Sequence, residues 1–540
     1  MAATLTRTNY PQYVADENTE VRQNETSLAP VEQTSPLGYN VGFLNATLVN
    51  TSAMIGMGIF STPSYVLKSV GSVGALVTLY LVAPVVTWAG LMLYIELASM
   101  CGHKRSGAEV VYLEQAYPKP KYLASTVFAL TTALLSYTGV SATVFARHIL
   151  HGFNVEDTAL KQKAIALAML TSAIGVCLFS NRWALKINSF STVFKVGSLV
   201  LISFTGLACL LGWTQVPYTG NLDRPFQGTK IEGNPLATSF AKVNFSFIGW
   251  NTILGLMAEV KGPDPIRTVR RAGLASIAIT SLLFLTTILS FTIVLTKEEI
   301  IDANEVLGAL FFRKIYGDTV ATKIFPIFIG INSFGGIVSM TLYYARMLRE
   351  AGRQGVLPFA TFWSRVGRFK TPYGPLLLKW CLSAFLVIAV PAGDTFAFLV
   401  DLSGYPGLVF ALATSCGIWV LRSRRAKMGL PDHAYKAPNT VVLAYVVKSI
   451  ALIVMPWIPP EGGSHGGDVD FFYAMYCIVA LGVMLFCVIY YWVWFRILPE
   501  WCGYEMIQET VTLPGGVKVS VLRRYYKDER EPLLQEQQQA

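Results

Sequence analysis

The sequence predicts an all-α polytopic membrane protein with twelve transmembrane helices. Three observations predict it. Only 14% of the 540 residues are charged, against about a quarter in an ordinary soluble domain, and mean hydropathy is +0.47. Apolar runs long enough to cross a ~30 Å hydrocarbon core recur along the chain. Lys and Arg gather in alternate loops between those runs, the pattern of a protein with one side facing the cytoplasm. The ten-residue alternating strands of a membrane β-barrel are absent.

The predicted spans are 41–67, 74–100, 123–147, 163–180, 186–213, 236–260, 272–296, 323–348, 374–392, 395–421, 439–458 and 471–495. The basic loops are 101–121, 261–271, 346–370 and 422–436, and with twelve spans they share one side. The loop 459–470 has no Lys or Arg and falls on the other. Both termini are then cytoplasmic. The chain divides into a cytoplasmic tail (1–40), a twelve-helix region (41–495) and a second cytoplasmic tail (496–540). The first tail is polar and shows no cleavable signal, so the first helix serves as the insertion signal. The loop 297–322 is rich in Glu, Ile and Leu and predicts a short external helix. The segment Gly462–Gly467 reads as flexible, and the Gln-rich end of the second tail as disordered.

Several function classes are excluded. The net charge of +10 suggests nucleic acid, but its loop-by-loop distribution is that of membrane topology. Of the eight cysteines, Cys101 and Cys502 flank helix ends and the rest lie in apolar runs. They form neither a disulfide framework nor a metal-ligand spacing, so no metal or cofactor is expected. No nucleophile–base set indicates an enzyme. The sequons at Asn45, Asn50 and Asn244 fall inside spans and that at Asn24 in the cytoplasmic tail, so none is placed for glycosylation.

Two spans are interrupted by glycine. The first reads Ile55-Gly56-Met57-Gly58-Ile59-Phe60 and the second Phe245-Ser246-Phe247-Ile248-Gly249-Trp250-Asn251. Paired interruptions at corresponding places in two halves point to a transporter with its site near the bilayer midplane. Non-helical backbone is tolerated at that depth only inside protein or along a cavity. At the first, freed N–H groups and the positive end of the following half-helix suit a carboxylate. At the second, freed carbonyls suit an ammonium group, with Phe245, Phe247 and Trp250 available for cation–π contact or closure. The bland alternatives are helix-packing glycines and rings facing lipid.

Lys195 is the most informative charge. It lies about 13 Å along its helix from Lys186 at ~1.5 Å per residue, close to the middle of the membrane. An intramembrane lysine marks a functional position: a fixed cation or proton carrier beside the first interruption, or a structural cap on backbone carbonyls. Glu96, Glu259, Lys379, Asp394, Asp401 and Lys448 lie near predicted helix ends and read as interfacial or gating residues, with Glu259 placed to pair with loop bases.

These features resemble the amino acid–polyamine–organocation transporters, and among them the L-type amino acid transporters and fungal high-affinity methionine permeases. The resemblance covers about residues 40–495. It is carried by Gly56–Ser64, by Arg105-Ser106-Gly107-Ala108-Glu109 with Tyr112-Leu113-Glu114, and by Phe247–Asn251 with Glu259-Val260-Lys261 and Pro263. Arg346, Glu350, Gly355, Leu357 and Pro358 complete it. It implies a five-plus-five inverted repeat with two further helices, the architecture of the sodium-coupled leucine transporters. It implies a substrate carboxylate at Gly56, Met57, Gly58 and Ile59, and an amine at carbonyls around Phe245, Ser246, Phe247, Ile248 and Gly249. Phe245 matches an aromatic gate, with Trp250 beside it. Lys195 matches a lysine standing where sodium binds in sodium-coupled relatives, which favours proton coupling. Met57 replaces a small polar residue and Ile248 a glycine, and both reshape the pocket.

The expected function is import of a neutral amino acid, methionine or another large neutral one, by proton-coupled alternating access. The alternatives are an amino acid exchanger and a non-transporting nutrient sensor. The expected partners are the amino acid, protons and the lipid bilayer. Relatives with a heavy-chain partner attach it through a cysteine outside the fourth span, and the loop 148–162 has none. The tails offer sites for endocytic or ubiquitin-ligase adaptors, and Glu529–Leu534 fits an acidic dileucine signal. The expected location is the plasma membrane, with a vacuolar or endosomal membrane as the alternative.

Overall fold

A computed structural model describes residues 28–526 apart from 33, 57, 103, 136, 154, 157, 231–232, 304–306, 390–393, 431–432, 434, 460–471 and 514–516. Met57, Gly462–Gly467 and the dileucine sequence therefore lie outside the described residues.

Backbone polar groups inside hydrocarbon have no water to bond, so apolar runs satisfy them internally as helices. The first run forms α1 (Phe43–Met54) and α2 (Gly58–Val70), with an interruption between them. Then come α3 (Val73–Cys101), the short α4 (Glu109–Ala116), α5 (Leu123–Leu135), α6 (Gly139–Gly152), α7 (Ala159–Phe179) and α8 (Asn181–Leu210). The next run is α9 (Gly233–Ser246), a turn, and a 3₁₀ stretch over Thr252–Glu259. After it, α10 (Pro265–Val294) starts with Asp264 accepting from the Arg267 amide and Pro265 in the first turn, where a missing N–H costs nothing.

The loop expected to hold one external helix holds two, α11 (Lys297–Asp302) and α12 (Leu307–Tyr316). Thr296 and Glu299 cap α11 reciprocally, and Phe311 and Phe312 bury the inner face of α12. Both helices pack on α2. The remainder comprises α13 (Phe325–Arg353), α14 (Ala360–Ser364), α15 (Tyr373–Ala389), α16 (Asp394–Lys427), α17 (Asn439–Val454), α18 (Met475–Trp492) and α19 (Leu498–Cys502). An antiparallel hairpin of β1 (Tyr504–Leu513) and β2 (Val517–Tyr526) follows. Among the described residues, eight helices are long and apolar enough to cross a membrane.

The centre of the bundle is α1. It packs against α8, α10 and α13, while α2 packs against α9. The span expected over 123–147 is interrupted at Tyr137–Thr138, between α5 and α6. Neighbouring helices supply its partners: the Thr138 amide donates to Ser383 Oγ at 3.0 Å, and the Tyr137 hydroxyl donates to the Leu399 carbonyl at 2.5 Å.

The basic loops meet at one end in a set of buried ion pairs. Arg346 of α13 donates to Glu259 at 2.7 Å and to Asn181 Oδ1 at 2.7 Å. Glu259 thus pairs with a base of the segment 346–370, which the structure draws into the end of α13. Arg105 joins Glu114 at 2.5 Å and Glu350 at 2.6 Å, Arg353 joins Glu350 at 2.7 Å, and Arg349 reaches Glu32 at 2.8 Å. The amino-terminal segment is fixed here too: the Leu28 amide donates to Glu114, and Gln508 and Ser520 of the hairpin donate to the Leu28 carbonyl. Val41 pairs in parallel with Val260, which joins the start of α1 to the end of the 3₁₀ stretch.

Removing one partner of a buried ion pair strands the other charge, at a cost of about 3–5 kcal/mol. Arg346→Ala is expected to destabilise the solubilised protein by that order, read as a lowered thermal midpoint. Lys436→Ala, in a basic loop outside these pairs, is expected to leave the midpoint within about 0.5 kcal/mol of its starting value.

Candidate functional site

The two interruptions face each other. At the first, Ile55 leaves the helical region with φ −76° and ψ 92°, and α2 restarts at Gly58. Carbonyls at the end of α1 lose their intrahelical partners there. Lys195 of α8 takes two of them: its ammonium donates to the Ser52 carbonyl at 2.8 Å and the Ile55 carbonyl at 2.7 Å. Lys195 is fully buried. Of the two readings open for this lysine, the capping geometry is present.

At the second interruption α9 ends at Ser246, and the chain turns through Phe247–Asn251. Gly249 has φ +104°, and a Cβ on it would stand 2.6 Å from the Ala53 Cβ. Only glycine meets both conditions without strain. A Cβ on Gly58 would stand 3.1 Å from Ser246 Oγ, so the start of α2 lies against the end of α9. Asn50 of α1 bonds both sides of the turn: its Nδ2 donates to the Trp250 carbonyl at 2.7 Å, and its Oδ1 accepts from the Ile253 amide at 2.8 Å.

The expected site residues divide by environment. Gly56, Gly58, Ser246, Gly249 and Lys195 belong to one contiguous junction. A Cβ on Gly56 would have nothing within 4 Å, so free space adjoins that backbone. The side chains of Ile59 and Phe247 point into the core, with Phe247 against Phe284 at 5.1 Å between ring centroids. Phe245 and Ile248 are each 48% exposed and flank the turn. Trp250 is half-buried and packs edge-on against Tyr94 at 4.9 Å. Asn50 was missed by the sequence reasoning, which took it only as a sequon. A carboxamide inside an apolar run was the available signal.

The start of α2 offers N–H groups with no partner in their own helix, and the end of α9 offers carbonyls. Groups of opposite polarity lie close together beside free space at Gly56. Among the described residues, no cluster of three or more His, Cys, Asp or Glu could hold a metal.

A family model described as amino acid permease matches residues 41–483. The chain belongs to the amino acid permease family. The high-affinity methionine permease of Saccharomyces cerevisiae is 26% identical over 496 residues, covering 90% of this chain and 84% of that protein. The low-affinity methionine permease of the same yeast is 26% identical over 493 residues, covering 90% and 88%. The human b(0,+)-type amino acid transporter 1 is 23% identical over 441 residues, covering 81% and 86%. These relatives are transporters and not enzymes. Family membership and the long apolar helices make this permease an integral membrane protein.

Gly249→Ala places a methyl group against Ala53 and forces a positive φ on a residue that resists it by about 1–2 kcal/mol. It is expected to lose most transport at normal membrane abundance. Gly56→Ala meets no neighbour and is expected to reach wild-type abundance in the membrane fraction, measured by immunoblot.

Proposed function

We propose that this permease imports a neutral amino acid, methionine or another large neutral one, by proton-coupled alternating access. The observation that carries the reading is the junction of the two interruptions, with free space at Gly56 and Lys195 on the carbonyls of α1. The substrate carboxylate would bind along Gly56, Met57, Gly58 and Ile59, at the start of α2. Its ammonium would bind the carbonyls of Phe245 to Gly249. Phe245 closes over the solute and Trp250 steadies the turn. The methionine permease relatives support a large neutral substrate.

In this reading four elements join the eight long helices to complete twelve spans: α1 with α2, α5 with α6, α9 with its 3₁₀ stretch, and α15. The five-plus-five inverted repeat puts both interruptions at the same depth. The basic end faces the cytoplasm, as do both tails, and the membrane is the plasma membrane. Lys195 couples the proton, because gain or loss of its charge changes its hold on the α1 carbonyls.

The test is uptake of labelled amino acids by a permease-deficient fungal strain expressing the chain, at acidic pH with and without a protonophore. Uptake of methionine or another neutral amino acid that the protonophore abolishes is expected. Uptake indifferent to the protonophore but stimulated by internal amino acid would make the protein an exchanger. Absence of uptake at normal surface abundance would favour a sensor. Lys195→Ala is expected to abolish pH-dependent uptake, and full pH-dependent uptake by this variant would remove the lysine from coupling.

A further inference from the structure

Among the described residues, the buried carboxylates at the basic end of the bundle are paired with arginine, with one exception. Glu32 has Arg349, Glu96 has Arg422, Glu114 has Arg105, Glu259 has Arg346, and Glu350 has Arg105 and Arg353. Glu109, at the first position of α4, is only 7% exposed, and among the described residues no Lys or Arg pairs with it. Arg105, four residues earlier, is turned onto Glu114 and Glu350.

Neutral donors surround the Glu109 carboxylate. Asn251 Nδ2 donates to Oε1 at 2.6 Å, the Tyr343 hydroxyl donates to Oε2, and Tyr94 of α3 lies beside the carboxylate. The other titratable groups facing it are also tyrosines: Tyr112 on α4 itself, Tyr344 on α13 and Tyr445 on α17. Among the described residues, the other neighbours of α4 pair no cation with the Glu109 carboxylate: α5 has no ionisable side chain, and Arg424 of α16 bonds the Gln115 carbonyl towards the other end of α4. Burial pushes the Glu109 carboxyl above its usual range, opposed by the bonds from Tyr343 and Asn251. A buried carboxylate without a cation stays ionised only through such bonds, and otherwise takes up a proton.

We propose that Glu109 is a second proton-binding site, which links a proton to movement of the second interruption. The proposal rests on the proton-coupled reading above. Ionised, the carboxylate only accepts, and it holds α13 and the turn at Asn251 together. Protonated, it carries one O–H, becomes a donor at that oxygen, and holds its incoming donors more weakly. Asn251 immediately precedes the 3₁₀ stretch, so weakening its bond loosens one hold on that half of the interrupted span, while Asn50 keeps the Trp250 carbonyl and the Ile253 amide. The carboxylate takes H⁺ from one side of the membrane and the neutral acid returns the same H⁺ to the other. With a zwitterionic amino acid, this site carries one positive charge across per cycle.

The test uses the full chain in proteoliposomes, with the labelled amino acid that the wild type takes up best. Accumulation driven by a pH gradient is compared with exchange at equal pH. Glu109→Gln is expected to lose accumulation at least about tenfold, to lose the pH dependence of uptake, and still to exchange measurably. Glu109→Asp is expected to restore accumulation in part. Tyr343→Phe keeps the acid but removes a donor to its ionised form. The pH midpoint of uptake should then rise by about one unit, the scale of one lost hydrogen bond, and this tests the site even if Glu109→Gln fails to fold. Wild-type accumulation in Glu109→Gln, loss of exchange together with accumulation in a folded variant, or an unmoved midpoint in Tyr343→Phe each overturns the proposal. Wild-type protein that accumulates nothing under a pH gradient overturns the proton-coupled reading, and this site with it. Wild-type coupling that persists in Glu109→Gln removes Glu109 alone.

Discussion

Everything at the centre of this permease depends on satisfying backbone that is not helical inside an apolar bundle. An unpaired carbonyl or amide there costs several kcal/mol, so an interrupted span persists only where side chains replace the missing helical partners. Two residues do most of this. Lys195 holds the Ser52 and Ile55 carbonyls from α8. Asn50, from α1, holds the Trp250 carbonyl and the Ile253 amide across the other interruption. The first interruption is therefore secured by a neighbour, and the second is secured by the first. A shift of α1 acts on both.

At the basic end, α13 is the common partner of parts that would otherwise move independently. Arg346, Arg349 and Arg353 recur at three- and four-residue spacing, on one face of the helix. Arg346 and Arg349 reach the end of the 3₁₀ stretch at Glu259 and the amino-terminal segment at Glu32, while Arg353 braces Glu350 of the same helix, which also takes Arg105 from the loop before α4. Arg353 also donates to the Lys518 carbonyl of the hairpin. Buried pairs of this kind add little net stability over apolar contacts, yet they are costly to leave half-made. That asymmetry suits contacts that must separate together or not at all.

The two main interruptions were legible because glycine in an apolar run is conspicuous and the pair recurs. Lys195 was legible because a lysine nine residues beyond Lys186 on one helix is too deep to reach water easily. The interruption at Tyr137–Thr138 was not legible, since its partners Ser383 and Leu399 lie more than two hundred residues away. That Glu259 pairs with a loop base was legible, but which one was not: Lys261, Arg267, Arg270 and Arg271 are close in sequence, while Arg346, at the start of the basic loop 346–370, is close only in space. The hairpin was a different case. Its alternating residues, Thr510–Leu513 and Val517–Val521, flank a Pro-Gly-Gly turn signal, but the polar, Gln-rich end of the tail dominated its composition. Glu109 was visible within a family block but carried no role, because its lack of a cation depends on where Arg105 turns.

The position of Lys195 bears on which ion can couple at the first interruption. A mobile metal cation would need several oxygen ligands there, and two carbonyls suited to the task already receive the lysine ammonium at 2.7 and 2.8 Å. A second positive charge within ~4 Å would be repelled by about 4 kcal/mol at an effective dielectric of ~20, before any cost of displacing the ammonium. The charge that holds α1 is instead covalently part of α8. Its hold can change through movement of the helix or through loss of the proton itself. Loss of the lysine proton removes that charge and its return restores it, and neither change requires an additional ligand at the junction.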